Sequence, residues 1–505
     1  MRASSSSSQA MLLERAAAVL TALITLVVLL RRAVYQGLLG DDLLFLHAIS
    51  LGFPDSLMAA GSSHPPLLRW LVSLIADPQS ADWLLRLPSV LFATACVPIW
   101  FFILQRLFDS PMIRGSLLLA MALNDFWLTQ AFQCLPYPPL AFFASLHCLA
   151  WMQFAEQPGN RWRQVCLVLS GCVLPWTHFF GINVLLATQL IWLYLLWQRQ
   201  SSLRTCIYVN LALVVLTIPV VPLAMFYIVH DRPYPLMILN DFAAYFVPGS
   251  AYCFSRVTFS GVESFVPVFI AVYAGIAVHL WRSHRAAPSS SDALTRSQHT
   301  IAFAFLAAGF TAAQLHALLS HTAMWPRYML GGSWLHLPVI GLLLMGLQWR
   351  RTAMAFSTVA AALAIACLGL TEESSDYDAV VSYIEQHQQP QDAFLAQSMD
   401  LWHGENHFDR LWYERYTDRS LPVVSGLHRS RTRLIQEGLN LTNIDTSVDR
   451  VWVYSHLFKQ AWLRQHPPKG WQLISLQHPG GPFPVALLQR ENGVRISAYG
   501  GDFAE

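Results

Sequence analysis

The chain is 505 residues long, 54% hydrophobic and only 12% charged, with a net charge of +2. Soluble domains carry roughly 25% charged residues, so this composition excludes an ordinary soluble globular protein and requires lipid to solvate most of the chain. The near-neutral balance argues neither for nor against nucleic acid, and no nucleic-acid partner is assigned.

The N-terminal serine run reads as a disordered tail. Beyond it, about eleven apolar stretches are candidates for membrane helices, which need roughly 18 or more apolar residues. They lie near 16–30, 87–104, 115–132, 138–154, 165–176, 180–197, 206–229, 264–281, 301–319, 329–347 and 352–370, the fifth being short. The first lacks a small-residue cleavage site and is followed by Arg31 and Arg32, so it reads as an uncleaved anchor. With the N-terminus cytoplasmic, the inside loops hold Arg106 and Arg114, Arg161 and Arg163, Arg199 and Arg204, Arg282, Arg285 and Arg296, and Arg350 and Arg351. That sorting follows the positive-inside rule. Arg31 and Arg32 break the pattern, either as snorkelling anchors at the interface or as a contact to an anionic head group.

The first outer loop, about 35–86, opens with adjacent carboxylates, Asp41 and Asp42, in GLLGDDLLFLHAI. Charge beside hydrocarbon is costly and marks functional sites. About twenty residues on, SSHPPLLRW adds His64 and Arg69 on the same side. Together these groups suggest a site for a phosphorylated or hydroxylated substrate at the membrane surface. Asp125, within the third stretch, is a further intramembrane acid that either lines a cavity or pairs with Asn124 or Gln130.

Cys96, Cys134, Cys148, Cys166, Cys172, Cys206, Cys253 and Cys367 all lie in or beside apolar stretches without metal-ligand spacing, as small packing residues do. After residue 370 the composition turns polar, dividing a membrane domain, 1–370, from a small outer α/β domain, 371–505. There the patterning predicts helices at 377–388, 431–438 and 457–465 and strands at 393–397, 450–455, 471–476 and 485–489. No phosphate-binding loop or nucleophile elbow occurs in it. His403 and His407 in HGENH are four apart, but the string is not HExxH and reads as two surface histidines.

Five outer strings, GDDLLFLHAI, SSHPPLLRWL, ADWLLRLPSVLFA, THFFGINVLL and WPRYMLGGSWLHLPVIGLLL, follow one another in order and on one side. In this they resemble the membrane glycosyltransferases of the protein O-mannosyltransferase and lipid A aminoarabinose-transferase superfamily, over roughly residues 12–350. The resemblance implies a mainly α polytopic bundle of the GT-C type in a bacterial inner (plasma) membrane, with its site and C-terminal domain on the periplasmic side. It also implies a polyprenyl-phosphate-linked sugar donor, membrane lipids as neighbours, and a glycolipid, glycan or protein acceptor.

By the same resemblance Asp41 matches the family's first acid, and Asp42 replaces the more usual Glu. An acceptor hydroxyl attacks the anomeric carbon and needs a base for its proton, which would be Asp41; the alternative is that the pair only caps a short helix. His64, Arg69, Arg86 and Arg327 are candidates for the leaving phosphate, since guanidinium forks suit phosphate oxygens. Tyr137, His178 and Tyr328 are candidates for lining the cavity. Leu135 departs from the family pattern, standing where many relatives keep an arginine, so another base such as Arg69 supplies that charge or the donor sits differently. No organic cofactor is expected, while a divalent ion on Asp41, Asp42 and His64 stays open. The alternatives are a transporter or flippase, for which no inverted repeat is evident, and a non-catalytic binder of lipid-linked sugar.

Overall fold

The structure, a computed structural model, describes residues 3–36, 38, 42, 45, 46, 49, 65–123, 125–179, 181–197, 201–223, 377–399, 415, 417, 421–428, 447–454, 468–479 and 485–491. The chain forms two compact units, one of Met1–Ala33 with Ser63–Thr371, the other of Val34–Ser62 with Glu372–Glu505.

The first unit is helical. Helix α1 (Ala3–Tyr35) turns Leu12, Leu13, Val19, Leu20, Leu23 and Val27 outward while burying Leu29 and Ala33. An outward apolar face of that extent suits lipid, and α1 over Met11–Tyr35 and α3 (Asp82–Leu107) are long and apolar enough to cross a membrane. Between them lies the short α2 (Leu67–Ser73). Helix α3 buries Val90, Ala93, Val97, Trp100 and Leu104 and packs along α6 (Tyr137–Glu156), where Trp100 Nε1 donates to Ser145 Oγ at 2.9 Å.

Helix α4 (Pro111–Ala122) starts on a Ser110 cap with proline at its first position, where the missing N–H costs nothing. Helix α5 (Asp125–Ala131) follows at once. The stretch 115–132 is therefore not one continuous helix. At Leu123 the backbone leaves the helical well (φ −107, ψ 16), and Asp125 belongs to residue types that favour helix starts over helix interiors. The short fifth stretch likewise divides, into α7 (Arg161–Cys172) and α8 (Leu174–Thr177), with Pro175 near the start of α8. Helices α9 (Gly181–Trp197) and α10 (Leu203–Thr217) follow. The expected spans from 264 onward lie outside the described residues.

A buried polar chain ties α6 to α7. Trp151 Nε1 donates to His147 Nε2 at 3.1 Å, which leaves the proton on Nδ1 for Ser170 Oγ at 2.9 Å. Gly171 lies so close that an added Cβ would meet His147 Cε1 at 2.8 Å. Glu156, ending α6, pairs with Arg106 of α3 at 3.4 Å and Arg163 of α7 at 2.7 Å, and Arg114 pairs with Glu14 of α1. Three of the arginines assigned to the inside thus gather at one end of the bundle, where the parallel helices α3 and α6 finish and α4 and α7 begin. Arg86 and Tyr137, which begin α3 and α6, occupy the opposite end.

In the second unit, α11 (Tyr377–His387) precedes β1 (Asp392–Met399), β2 (Val423–His428), β3 (Arg450–Tyr454), β4 (Trp471–Gln477) and β5 (Val485–Arg490). The sheet order is β2-β1-β3-β5-β4, parallel across the first three and antiparallel across the rest. Ala393, Leu395, Val451, Val453, Trp471, Ala486 and Leu488 form its core. The fully buried Asp392 accepts from Trp452 Nε1 at 2.7 Å and pairs with Arg450 at 3.1 Å. Helix α11 and four strands stand where the patterning predicts them, whereas β2 is an addition. The predicted helices at 431–438 and 457–465 lie outside the described residues.

Candidate functional site

Arg86 anchors the end of the bundle opposite Glu156. It lies in the second turn of α3, fully buried, with Nη1 donating to Ala33 O at 3.4 Å and its guanidinium carbon 4.9 Å from the centroid of the Phe132 ring. A guanidinium never loses its charge, and withdrawing it from water is tolerable only with acceptors or π faces around it. The acceptor comes from α1 and the π face from the turn joining α5 to α6. Cys134 Sγ donates to Leu85 O at 3.2 Å and Ser89 Oγ to Leu135 O at 3.4 Å, which fasten that turn across the first two turns of α3.

The same turn launches Tyr137. Pro136 is the N-cap of α6, and Pro138 and Pro139 follow in its first turn, where backbone N–H groups have no helical acceptor to lose. The Tyr137 side chain is completely buried, its ring 5.5 Å from that of His178 at an interplanar angle of 40°. His178 caps α8 in extended conformation, its N–H donating to Leu174 O at 3.2 Å. It is 3% exposed. Gly181, which opens α9, is required there, because an added Cβ would collide with the Leu174 carbonyl. Trp176 of α8 in turn lies 6.0 Å from Trp70, next in sequence to the buried Arg69 of α2.

Four of the candidates named from the sequence, Arg69, Arg86, Tyr137 and His178, are thus buried side chains on α2, α3, α6 and α8. Three links join their elements: Arg86 with the 132–135 turn that leads into Tyr137, Tyr137 with His178, and Trp70 with Trp176. Leu135 is itself buried, so the position that relatives fill with arginine packs into the protein here. The sequence alone did not single out Phe132, Trp70 or Trp176. Their only signal was aromatic character beside named residues.

Asp42 is helical and 2% exposed, in the second unit. Asp125 begins α5. Asp41, His64, Arg327 and Tyr328 lie outside the described residues. Among the described residues no three His, Cys, Asp or Glu side chains group to hold a metal. The proposed ion site keeps only Asp42 within them.

Apolar helices with buried arginines at one end, joined in sequence to a small mixed sheet, make up a fold of the GT-C type. Two solved structures share it along nearly their whole length. Apo ArnT from Cupriavidus metallidurans matches with a TM-score of 0.53 at 14% identity, over 93% of this chain and 97% of ArnT. The same protein bound to undecaprenyl phosphate matches with a TM-score of 0.50 at 15% identity, over 94% and 98%. At such identities the likeness is one of fold. No protein-family model matches the sequence, and no curated protein does.

Proposed function

We propose that this protein is an integral membrane glycosyltransferase that moves a sugar from a polyprenyl-phosphate donor to an acceptor hydroxyl on the extracytoplasmic face. The supporting observation is the burial of Arg69 and Arg86 in a fold shared with a protein crystallised with undecaprenyl phosphate. Two fixed guanidinium groups withdrawn from bulk water suit a lipid phosphate, whose charge grows as it leaves. About eleven membrane spans and an outer C-terminal region complete this reading.

In the reaction the acceptor oxygen forms a bond to the anomeric carbon while the bond from that carbon to the phosphate oxygen breaks. The electron pair stays on the phosphate, where Arg69, Arg86, Arg327 and His64 receive it. Asp41 takes the acceptor's proton as attack proceeds, an assistance worth roughly 10²–10⁴ in rate. Tyr137 and His178 wall the approach.

The test is a comparison of lipids and glycans extracted from cells lacking the protein and cells carrying either wild type or Asp41→Asn. A glycan or lipid species that gains a sugar mass only with the wild type is expected. Identical profiles in all three strains would remove the enzyme from the reading.

A further inference from the structure

We infer that the C-terminal unit is the platform that positions the first outer loop and, with it, the acid pair. This rests on the glycosyltransferase reading for the role of the acids, and on the fold itself for the platform.

Leu38, Asp42, Phe45 and Ile49 are 1%, 2%, 6% and 7% exposed, and the structure is helical at Asp42, Phe45, Leu46 and Ile49. Their spacing of four, three and four residues is that of one helix face. A helix cannot cover its own apolar stripe, so other residues must close that face. The compact unit that contains the stripe is Val34–Ser62 with Glu372–Glu505, and it excludes the helical bundle. The face is therefore closed from the C-terminal region. That region offers a rigid base, with a fully buried sheet core and the buried Asp392–Arg450 pair beneath it.

The placement separates the two acids by role. Asp42 belongs to the buried stripe, and Asp41 is the acid to which the glycosyltransferase reading gives the proton. Phe45 and Ile49 are then positioning residues, acting on the reaction only through the helix they hold.

Hydrogen exchange of the full-length protein in lipid nanodiscs tests this without needing the sugar. Phe45→Ala should speed amide exchange at least about tenfold in peptides covering 377–399 and 450–454, as loss of a buried aromatic loosens the unit that contains it. Peptides of α3 and α6 should be unchanged. The milder Phe45→Leu should give the same pattern at smaller amplitude, and Leu395→Ala in β1 should speed exchange across 38–49. Acceleration confined to α3 and α6, or none outside the loop itself, would overturn the platform. Once a transfer assay exists, Phe45→Leu should lower kcat with donor KM unchanged. Absence of any transfer by the wild type would count against the glycosyltransferase reading and leave the exchange result standing.

Discussion

Replacing Arg86 separates a recognition residue from a structural one. Its guanidinium is fully buried, 3.4 Å from the Ala33 carbonyl and stacked at 4.9 Å on Phe132. A desolvated cation–π contact contributes about 2 kcal/mol, and a hydrogen bond from a charged donor about 1.5–3 kcal/mol. The 3.4 Å separation puts this bond at the low end. Phe132→Leu removes the π face at a packing cost under about 1.5 kcal/mol. It should weaken undecaprenyl phosphate binding by up to about thirtyfold, the equivalent of roughly 2 kcal/mol at 1.4 kcal/mol per tenfold. Arg86→Lys retains charge but not the planar fork and should fall in the same range. Arg86→Met is the discriminating variant. A buried charge exchanged for an apolar side chain of similar length is often neutral or stabilising, so Tm should hold or rise while binding of the lipid phosphate is lost. Native mass spectrometry of the detergent-solubilised protein titrated with undecaprenyl phosphate measures the binding, and a thermal melt measures the fold. Wild-type affinity in Arg86→Met would refute the reasoning and reduce Arg86 to a helix staple.

At Arg327, activity should rank wild type above Lys above Ala, because lysine keeps charge without the fork; a fully active Arg327→Ala at normal expression would make the Pro-Arg-Tyr string an interfacial anchor. Gly181→Ala should lower Tm measurably, by about 1–3 kcal/mol of overpacking against the Leu174 backbone; an unchanged melt would mean that the α8–α9 turn shifts freely. Asp392→Asn should cost the second unit about 2 kcal/mol or more by leaving the Arg450 guanidinium without its carboxylate, read from its tryptophan fluorescence in urea. An alkaline phosphatase fusion after residue 370 should be active, and an inactive fusion would invert the proposed topology.

The parts of the fold legible from sequence are those set by long apolar runs. Helices α3 and α6 stand within a few residues of their expected spans because no Asp, Glu, Lys or Arg interrupts those stretches. The break at Leu123 escaped, since hydropathy averaged over a window dilutes Asn124 and Asp125 among leucines. Strand β2 escaped for a related reason, because VVSGLH lacks strict alternation and carries Ser425 and Gly426, which weaken the strand pattern. Within the site, Arg86, Tyr137 and His178 were identifiable singly from charge, family pattern and sidedness. That Phe132 carries the Arg86 guanidinium and that Tyr137 meets His178 are long-range facts of packing, which no local pattern encodes. The Leu38, Asp42, Phe45 and Ile49 stripe was written in the sequence, but the adjacent carboxylates drew attention to charge and away from periodicity.

The second unit joins Val34–Ser62 to Glu372–Glu505, so the two halves of one packed body are made far apart in time. Between Ser62 and Glu372 lie 309 residues of intervening chain. At roughly 5–20 residues per second, synthesis of that chain takes about 15–60 s. During that interval the loop bearing Asp41 and Asp42 has left the ribosome, but the strands that complete its unit do not yet exist. A nascent enzyme with every earlier helix inserted would still be inert, and a message truncated near its end would yield a membrane bundle whose acids are present but not held. Competence for the reaction would be acquired with the final strand.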